Sequence, residues 1–295
     1  VANGLHAWIE AARPRTLPAA AAPVLLGSAL AFAKGCFLPL PAGIALAFAL
    51  LIQVGTNFAN DYYDARKGAD TPERLGPTRA VAAGLIAPGA MRAAALVTLA
   101  LAFCVGLTLV YWGGWWLVAV GVLSVVCALA YTGGPFPLAY LGLGDVFVFL
   151  FFGLVAVMFT EYVQCGTFSL EGLLLGAGCG LLSNNLLVVN NYRDIETDRA
   201  VGKRTLPVRF GRVFARVQYL LSNRLALLLA VGVAVLAGGT LWVFLVLLAL
   251  PLMYGQERRL GRAVTREQFG RVLAGTAGVL VLYAVLATIG LVLPA

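Results

Sequence analysis

The chain has 295 residues, 61% hydrophobic and only 12% charged, with a mean hydropathy of +0.91. Soluble domains are about 45–50% apolar and about 25% charged. This composition therefore excludes a water-soluble globular enzyme, a disordered chain and a nucleic-acid-binding domain, and leaves lipid as the solvent; the net charge of +8 is read through topology.

A spanning helix needs about 20 apolar residues. A lipid-facing barrel would alternate apolar and polar positions, whereas stretches such as 42–52 and 225–236 are apolar on every side. The pattern predicts an all-α polytopic membrane protein with one domain over 1–295. A short interfacial helix is expected at 6–12, followed by nine transmembrane helices at 16–33, 41–63, 91–111, 115–132, 144–163, 169–192, 222–238, 240–255 and 271–292. Pro251 marks the eighth as tilted or kinked.

Charge placement supports this scheme. Arg13 and Arg15 precede the first span, five basic residues follow the second, eight follow the sixth and five follow the eighth, leaving only Lys34 for the other face. Basic loops stay on the cytoplasmic side, so the reading is a multi-pass protein of the inner (plasma) membrane, N-terminus cytoplasmic and C-terminus outside. Cys104, Cys127 and Cys179 fall inside apolar runs as small core residues. Cys36 and Cys165 both fall on the outer side, where a disulfide between them stays open. Nothing in the sequence identifies a protein partner. Glu10, Glu161, Glu171, Glu257 and Glu267 are read as solvated helix ends, and His6 as an interfacial residue.

Most remaining acids share the basic face. Asn60, Asp61, Asp64, Asp70 and Glu73 cluster at the end of the second span; Asn190, Asp194, Glu196 and Asp198 cluster at the end of the sixth. Asn60 and Asp64 are four apart, as are Asn190, Asp194 and Asp198. That spacing stacks oxygen donors along one helix face. Stacked carboxylates repel unless a positive charge lies between them, and hard oxygen donors without His or Cys suit Mg²⁺, which readily shares phosphate oxygens. Two such corners could clamp one diphosphate, with Lys67, Arg79, Arg193 and Lys203 as further donors. A transporter or cation pathway lined by the same carboxylates is the alternative of a different class. Transporters, however, place ion sites near the midplane on broken helices, whereas these acids sit at the cytoplasmic ends.

These motifs resemble the UbiA superfamily of intramembrane prenyltransferases. Asn60, Asp61 and Asp64 match its NDxxDxxxD motif, whose last position falls here on Gly68, with Asp70 the nearest acid; Asp194 and Asp198 match its DxxxD motif. The stretches NDYYDARKGAD at 60–70, ERLGPTRAVAAGLI at 73–86, YTGGPFPLAYLGLGD at 131–145 and NNYRDIETDRAVGKRTLPVRFG at 190–211 are most similar to the subgroup that prenylates 1,4-dihydroxy-2-naphthoate.

The resemblance implies Mg²⁺ and polyprenyl diphosphate held by Asn60, Asp61, Asp64, Asp70, Asn190, Asp194 and Asp198, with Asp64, Asp194 and Asp198 catalytic. It also implies a diphosphate-binding polar pair at Tyr131 and Thr132. An aromatic acceptor, dihydroxynaphthoate, would be attacked by the allylic cation with loss of its carboxylate, giving demethylmenaquinone; another acceptor such as 4-hydroxybenzoate stays open. Arg79, Tyr62 and Asp145 are the candidate acceptor contacts. Tyr62, Tyr63 and Tyr192 are candidates to face the cation with their rings. Pro and Gly residues within 68–89 and 199–211 point to covers over the site.

Overall fold

In the computed structural model the described residues are 4–70, 75–236 and 241–293, and among them every regular element is helical. Glu73 and Arg74, which the sequence groups with the first acidic corner, lie outside the described residues. The order is α1 (Gly4–Ala12), a 3₁₀ turn, α2 (Pro18–Ala33), α3 (Pro39–Arg66), α4 (Pro88–Leu107), α5 (Val110–Gly113), α6 (Leu117–Ala130) and α7 (Gly144–Phe149). A π-helical turn, Leu150–Val155, joins α7 to α8 (Ala156–Cys165), and α9 (Leu170–Arg193) and α10 (Ile195–Ala200) follow. The chain closes with α11 (Leu206–Leu236), a 3₁₀ segment (Leu241–Ala249), α12 (Leu250–Arg262) and α13 (Arg266–Val292).

Among the described residues six helices are long and apolar enough to cross a bilayer: Pro39–Arg66, Pro88–Gly113, Gly144–Cys165, Leu170–Arg193, Leu206–Leu236 and Arg266–Val292. Counting Gly4–Thr16 with Pro18–Ala33, which meet at 48°, as one bent span makes seven. The hydropathy pattern predicts nine. Of the other two, α6 has 14 residues, and the 240–255 stretch divides into the 3₁₀ segment and α12. Pro251 stands in the first turn of α12, where the 3₁₀ segment gives way to α-helix, a position that tolerates its missing N–H. The seventh span begins well before the expected 222, because the stretch from Leu206 is helical as well, with a kink at Gly211 (φ 85°).

α9 is the most enclosed of the long helices and packs against α2, α7, α8, α11 and α13. Small residues allow this. A Cβ on Gly153 would stand 2.5 Å from the Gly176 carbonyl oxygen and 2.6 Å from the Gly180 Cα, so the π turn and α9 approach backbone to backbone, as small residues permit between membrane helices. The main core runs along α2, α9, α11 and α13, with Leu26, Leu175, Tyr219 and Leu280 fully enclosed. A smaller core joins α1 and α3 through Trp8, Phe58 and Tyr62 to Ala80 and Ile86.

At the end of the bundle away from the acidic corners, Cys36 and Cys165 form a disulfide with a Cα separation of 5.2 Å. Beside it the wholly buried Glu161 accepts from Lys34 Nζ at 2.6 Å and Ser169 Oγ at 2.6 Å. This corrects the reading of Glu161 as a solvated helix end: an apolar run hides whether its one carboxylate has a partner elsewhere in the chain. Glu257 likewise accepts from Asn223 and Arg224 of α11.

Candidate active site

The first corner is built by the last two turns of α3. Asn57, Asn60, Asp61 and Asp64 share a face and are all buried. The helix ends at Lys67, and Gly68, at φ +66°, turns the chain so that the Ala69 N–H reaches back to the Asp64 carbonyl. Gly68 therefore occupies the third acidic motif position for a backbone reason: the left-handed turn favours glycine there. Beyond the turn Asp70 comes back to Arg79, at 3.1 Å from its Nε.

Asp61 accepts the backbone N–H groups of Ala80 (3.1 Å) and Val81 (2.9 Å), one on each carboxylate oxygen. It thus anchors the turn that carries Arg79, a contact that the sequence did not show, while it also faces the same cavity as Asn60 and Asp64. Arg79 in turn lies 3.7 Å from Asp64. Asn60 accepts from the Thr132 hydroxyl at 2.9 Å, and Lys67 Nζ donates to the Thr132 carbonyl at 2.6 Å. The loop after α6 is thereby fastened to the end of α3.

The second corner is the end of α9. Asp194 caps α9 and opens α10, but the i→i−4 bonds continue across the break, from Asp194 N–H to Asn190 O (3.0 Å) and from Asp198 N–H to Asp194 O (2.8 Å). The expected Asn190–Asp194–Asp198 ladder therefore persists through a change of helix. Asp194 accepts two bonds from Arg193, both at 2.7 Å. Asp198 lies 3.6 Å from Lys203.

The two corners face one polar cavity of about 390 Å³. Asn60, Asp61, Asp64, Arg79, Tyr131, Thr132, Asp145, Asn190, Arg193, Asp194 and Lys203 all line it. Lys67, Asp70 and Asp198 stand behind that lining, each within contact of a residue named above or of Tyr140. Tyr62 is not brought to the cavity. It lies two residues before Asp64, about 200° around the helix, and packs in the smaller core. Tyr63 and Tyr192 are absent from the lining for the same kind of reason: Tyr63 packs against Gly133, and Tyr192 packs at a tilt against Phe269, ring centroids 6.2 Å apart.

The aromatic that does meet the charges is Tyr140. Its hydroxyl donates to Asp64 at 3.0 Å, and its ring lies 4.4 Å from Lys67 Nζ and 5.4 Å from Lys203 Nζ. Burial is the largest influence pushing the Lys67 ammonium below its ordinary pKa; Asp64 opposes the shift and Lys203 adds to it. Burial, then the Asp64 charge, pushes the Tyr140 phenol upward. Tyr140 thus keeps its proton and donates it. The aromatic-rich stretch around it gave no sign of which tyrosine would turn inward.

The sequence also read Arg13 and Arg15 only as topological charges, yet both line the cavity. Asn57 donates to the Ala12 carbonyl at 2.9 Å and Gln53 to the Thr16 hydroxyl at 3.0 Å, which ties the α1–α2 corner to α3. Arg13 at that corner is the one described non-glycine residue with positive φ (53°). The signal available was Asn57, one helical turn before Asn60 on the same face. Asp145, at the start of α7, accepts from Asn184 (3.1 Å) and Gln218 (2.6 Å) on one oxygen.

A second, apolar chamber of about 150 Å³ lies deeper between α2, α3, α6 and the α7–α8 span, lined by Phe48, Ile52, Val120, Phe147, Phe151 and Phe159 among others. Tyr131 lines both spaces. Among the described residues no three His, Cys, Asp or Glu side chains gather closely enough to hold a metal by themselves. The donors that face the cavity are carboxylate and amide oxygens, which suits a hard cation that completes its shell with phosphate oxygens and water.

A helical membrane bundle with opposed acidic corners over an apolar chamber is the architecture of a prenyl-transferring enzyme working inside the bilayer, and the UbiA prenyltransferase family matches residues 20–273. The chain belongs to that family and is a prenyltransferase. It is 42% identical over 261 residues to the 1,4-dihydroxy-2-naphthoate octaprenyltransferase of Escherichia coli K12, covering 86% of this chain and 84% of that protein. It is 40% identical over 280 residues to the enzyme of the same name from Mycobacterium leprae, covering 94% and 93%. The fold matches that of a UbiA homologue from Archaeoglobus fulgidus, solved with DMAPP and Mg²⁺, at a TM-score of 0.65 and 14% identity, covering 94% of this chain and 99% of that one.

Proposed function

We propose that this chain transfers a polyprenyl chain from polyprenyl diphosphate to 1,4-dihydroxy-2-naphthoate, releasing diphosphate and CO₂ and giving the prenylated naphthalene-1,4-diol, which is the reduced (quinol) form of demethylmenaquinone. The observation that carries the chemistry is the meeting of the Asp64 and Asp194 corners on one cavity. The acceptor follows from the relatives that share most of this chain's length.

The allylic C–O bond ionises and negative charge builds on the diphosphate; fixed cations around a leaving group supply most of the stabilisation in such a step. Arg79, Arg193, Lys67 and Lys203 are those cations. In the structure the first two are countered by Asp70, Asp64 and Asp194, and the lysines stand beside Asp64 and Asp198. Mg²⁺ held by Asn60, Asp64, Asn190, Asp194 and Asp198, with Asp70 behind Arg79, neutralises diphosphate charge when bound. Asp61 positions the Arg79 turn. Tyr131 and Thr132 bound the cavity where the diphosphate meets the start of the prenyl tail, and the tail enters the apolar chamber. Asp145, steered by Asn184 and Gln218, accepts from a ring hydroxyl of the acceptor, and Arg79 faces its carboxylate.

We place nine crossings in the bilayer. Supporting this, α6 is preceded by Trp116, whose indole N–H reaches the Tyr162 hydroxyl near the disulfide end, and is followed by Thr132 beside Asn60. The 241–262 stretch likewise ends with basic residues at the level of Arg271. With the basic loops on the cytoplasmic face of the inner membrane, α1 and the active site lie inside, and the disulfide and the last described residues lie outside.

The test incubates purified protein with Mg²⁺, octaprenyl diphosphate and either dihydroxynaphthoate or 4-hydroxybenzoate, with products identified by mass. Prenylated, decarboxylated naphthalenediol is expected, lost with chelator and restored by Mg²⁺. Exclusive prenylation of 4-hydroxybenzoate, or full turnover in Asp64→Asn and Asp194→Asn, would overturn the proposal.

A further inference from the structure

Basic residues that only fix topology should be spread around the rim and solvated singly. On the α12–α13 hairpin they converge instead. Arg258, Arg259 and Arg262 on α12 and Arg271 on α13 surround one groove of about 560 Å³, completed by Ala263, Gln268, Val272, Ala274 and Gly275. That volume lies in the range of about 300–1,000 Å³ typical of small-molecule sites. No carboxylate lines the groove, and among the described residues none of the four guanidinium groups is in a salt bridge. Of the nearest acids in sequence, Glu257 is engaged by Asn223 and Arg224, and Glu267, on the exposed first turn of α13, attracts only Arg271 of the four across solvent.

Four like charges drawn into one concavity repel one another unless an anion sits among them. The walls between them are short and apolar, Ala263, Val272, Ala274 and Gly275, and offer no hydrogen-bond donors of their own. The groove also lies where the chain meets the headgroup layer. Arg258 packs 4.6 Å over the exposed Tyr254 ring, an aromatic–cation pair of the kind that marks a membrane interface. Basic pockets between membrane helices on the cytoplasmic side suit phosphate-bearing lipid headgroups, and arginine forks match phosphate oxygens in pairs.

We propose that this groove binds the phosphate of an anionic phospholipid, with the glycerol backbone against its short apolar wall. It is separate from the catalytic cavity but shares a helix with it. Leu273 of α13 lines the catalytic cavity while its neighbours Val272 and Ala274 line the groove, and Arg15 of the catalytic lining approaches Gly270. A bound headgroup thus braces the inner turn of α13, which is also a wall of the active site.

The experiment is native mass spectrometry of the purified full chain in detergent with phosphatidylglycerol or phosphatidylcholine, each alone and with added inorganic diphosphate. The wild type is expected to retain one phosphatidylglycerol at least about tenfold more tightly than phosphatidylcholine. Arg258→Gln/Arg262→Gln, and independently Arg259→Gln/Arg271→Gln, bring that ratio close to one, while Asp194→Asn keeps it. The four arginine side chains are exposed, so their substitution leaves the packing untouched, and elution as a monodisperse species confirms the fold of each variant, Asp194→Asn included. A ratio unchanged in both arginine pairs overturns the proposal. So does displacement of the lipid by inorganic diphosphate in Asp194→Asn, which would make the groove a site for free phosphates.

Discussion

Asp61→Asn separates a positioning carboxylate from a metal ligand. In the wild type each oxygen of this buried carboxylate accepts one loop amide, from Ala80 and Val81. Asparagine keeps one acceptor and turns an NH₂ group toward the other N–H, so one bond to a charged acceptor is lost and a buried amide is left facing a donor. Bonds to charged groups contribute about 1.5–3 kcal/mol, so opening of the 79–86 turn should become easier by about that amount. Amide exchange tracks the open population, which translates to about ten- to 150-fold faster exchange at residues 80 and 81. The assay is hydrogen exchange read by mass spectrometry on peptides covering this turn, in parallel with the Mg²⁺ dependence of turnover. Arg79 rides on the same turn, so the Michaelis constant for prenyl diphosphate should rise with it. Unchanged exchange together with a large rise in the Mg²⁺ requirement would refute the reasoning and return Asp61 to the metal.

Tyr140→Phe removes the bond to Asp64 but keeps the ring between Lys67 and Lys203, and turnover should fall about tenfold, within the value of one charged hydrogen bond; Tyr140→Ala, which also exposes the lysines to each other, should fall further in the same assay. Asp64→Asn and Asp194→Asn should each lower turnover by at least about 10²–10³-fold, the scale of losing a group that stabilises transition-state charge, with elution profile and helical signal unchanged. Ala49→Phe, inside the apolar chamber, should shift preference toward shorter prenyl diphosphates when donors compete. Glu161→Ala leaves Lys34 and Ser169 without their shared acceptor and should cost about 2 kcal/mol of stability, read as earlier thermal unfolding in detergent, while the affinity for prenyl diphosphate stays as it was.

What the sequence exposed and what it hid follow from different physics. Apolar length and the one-sided arginines are local quantities, so helix existence and the gathering of both acidic corners at one end of the bundle could be read directly. The i→i+4 spacing of Asn60 with Asp64 and of Asn190 with Asp194 carried the site because each lies on a helix end, where spacing fixes direction. The start of α11 was hidden because Leu206 to Leu221 is amphipathic rather than apolar, with Arg209, Arg212 and Arg216 along one side; a search for lipid-compatible runs passes over it. Partners across the bundle were hidden for another reason. Tyr140 with Asp64, Asp61 with Ala80, and Lys34 with Glu161 are separated by 76, 19 and 127 residues, and one sequence contains no measure of which distant groups meet. A polar side chain at lipid depth must find a partner, yet the sequence does not show which polar residue lies that deep, and Glu161 was for that reason read as a solvated helix end. The same constraint explains why Gly68 could replace an acid in the first motif. The helix end needed the left-handed turn more locally than the cavity needed a third carboxylate, and Asp70 two residues later was close enough to pair with Arg79.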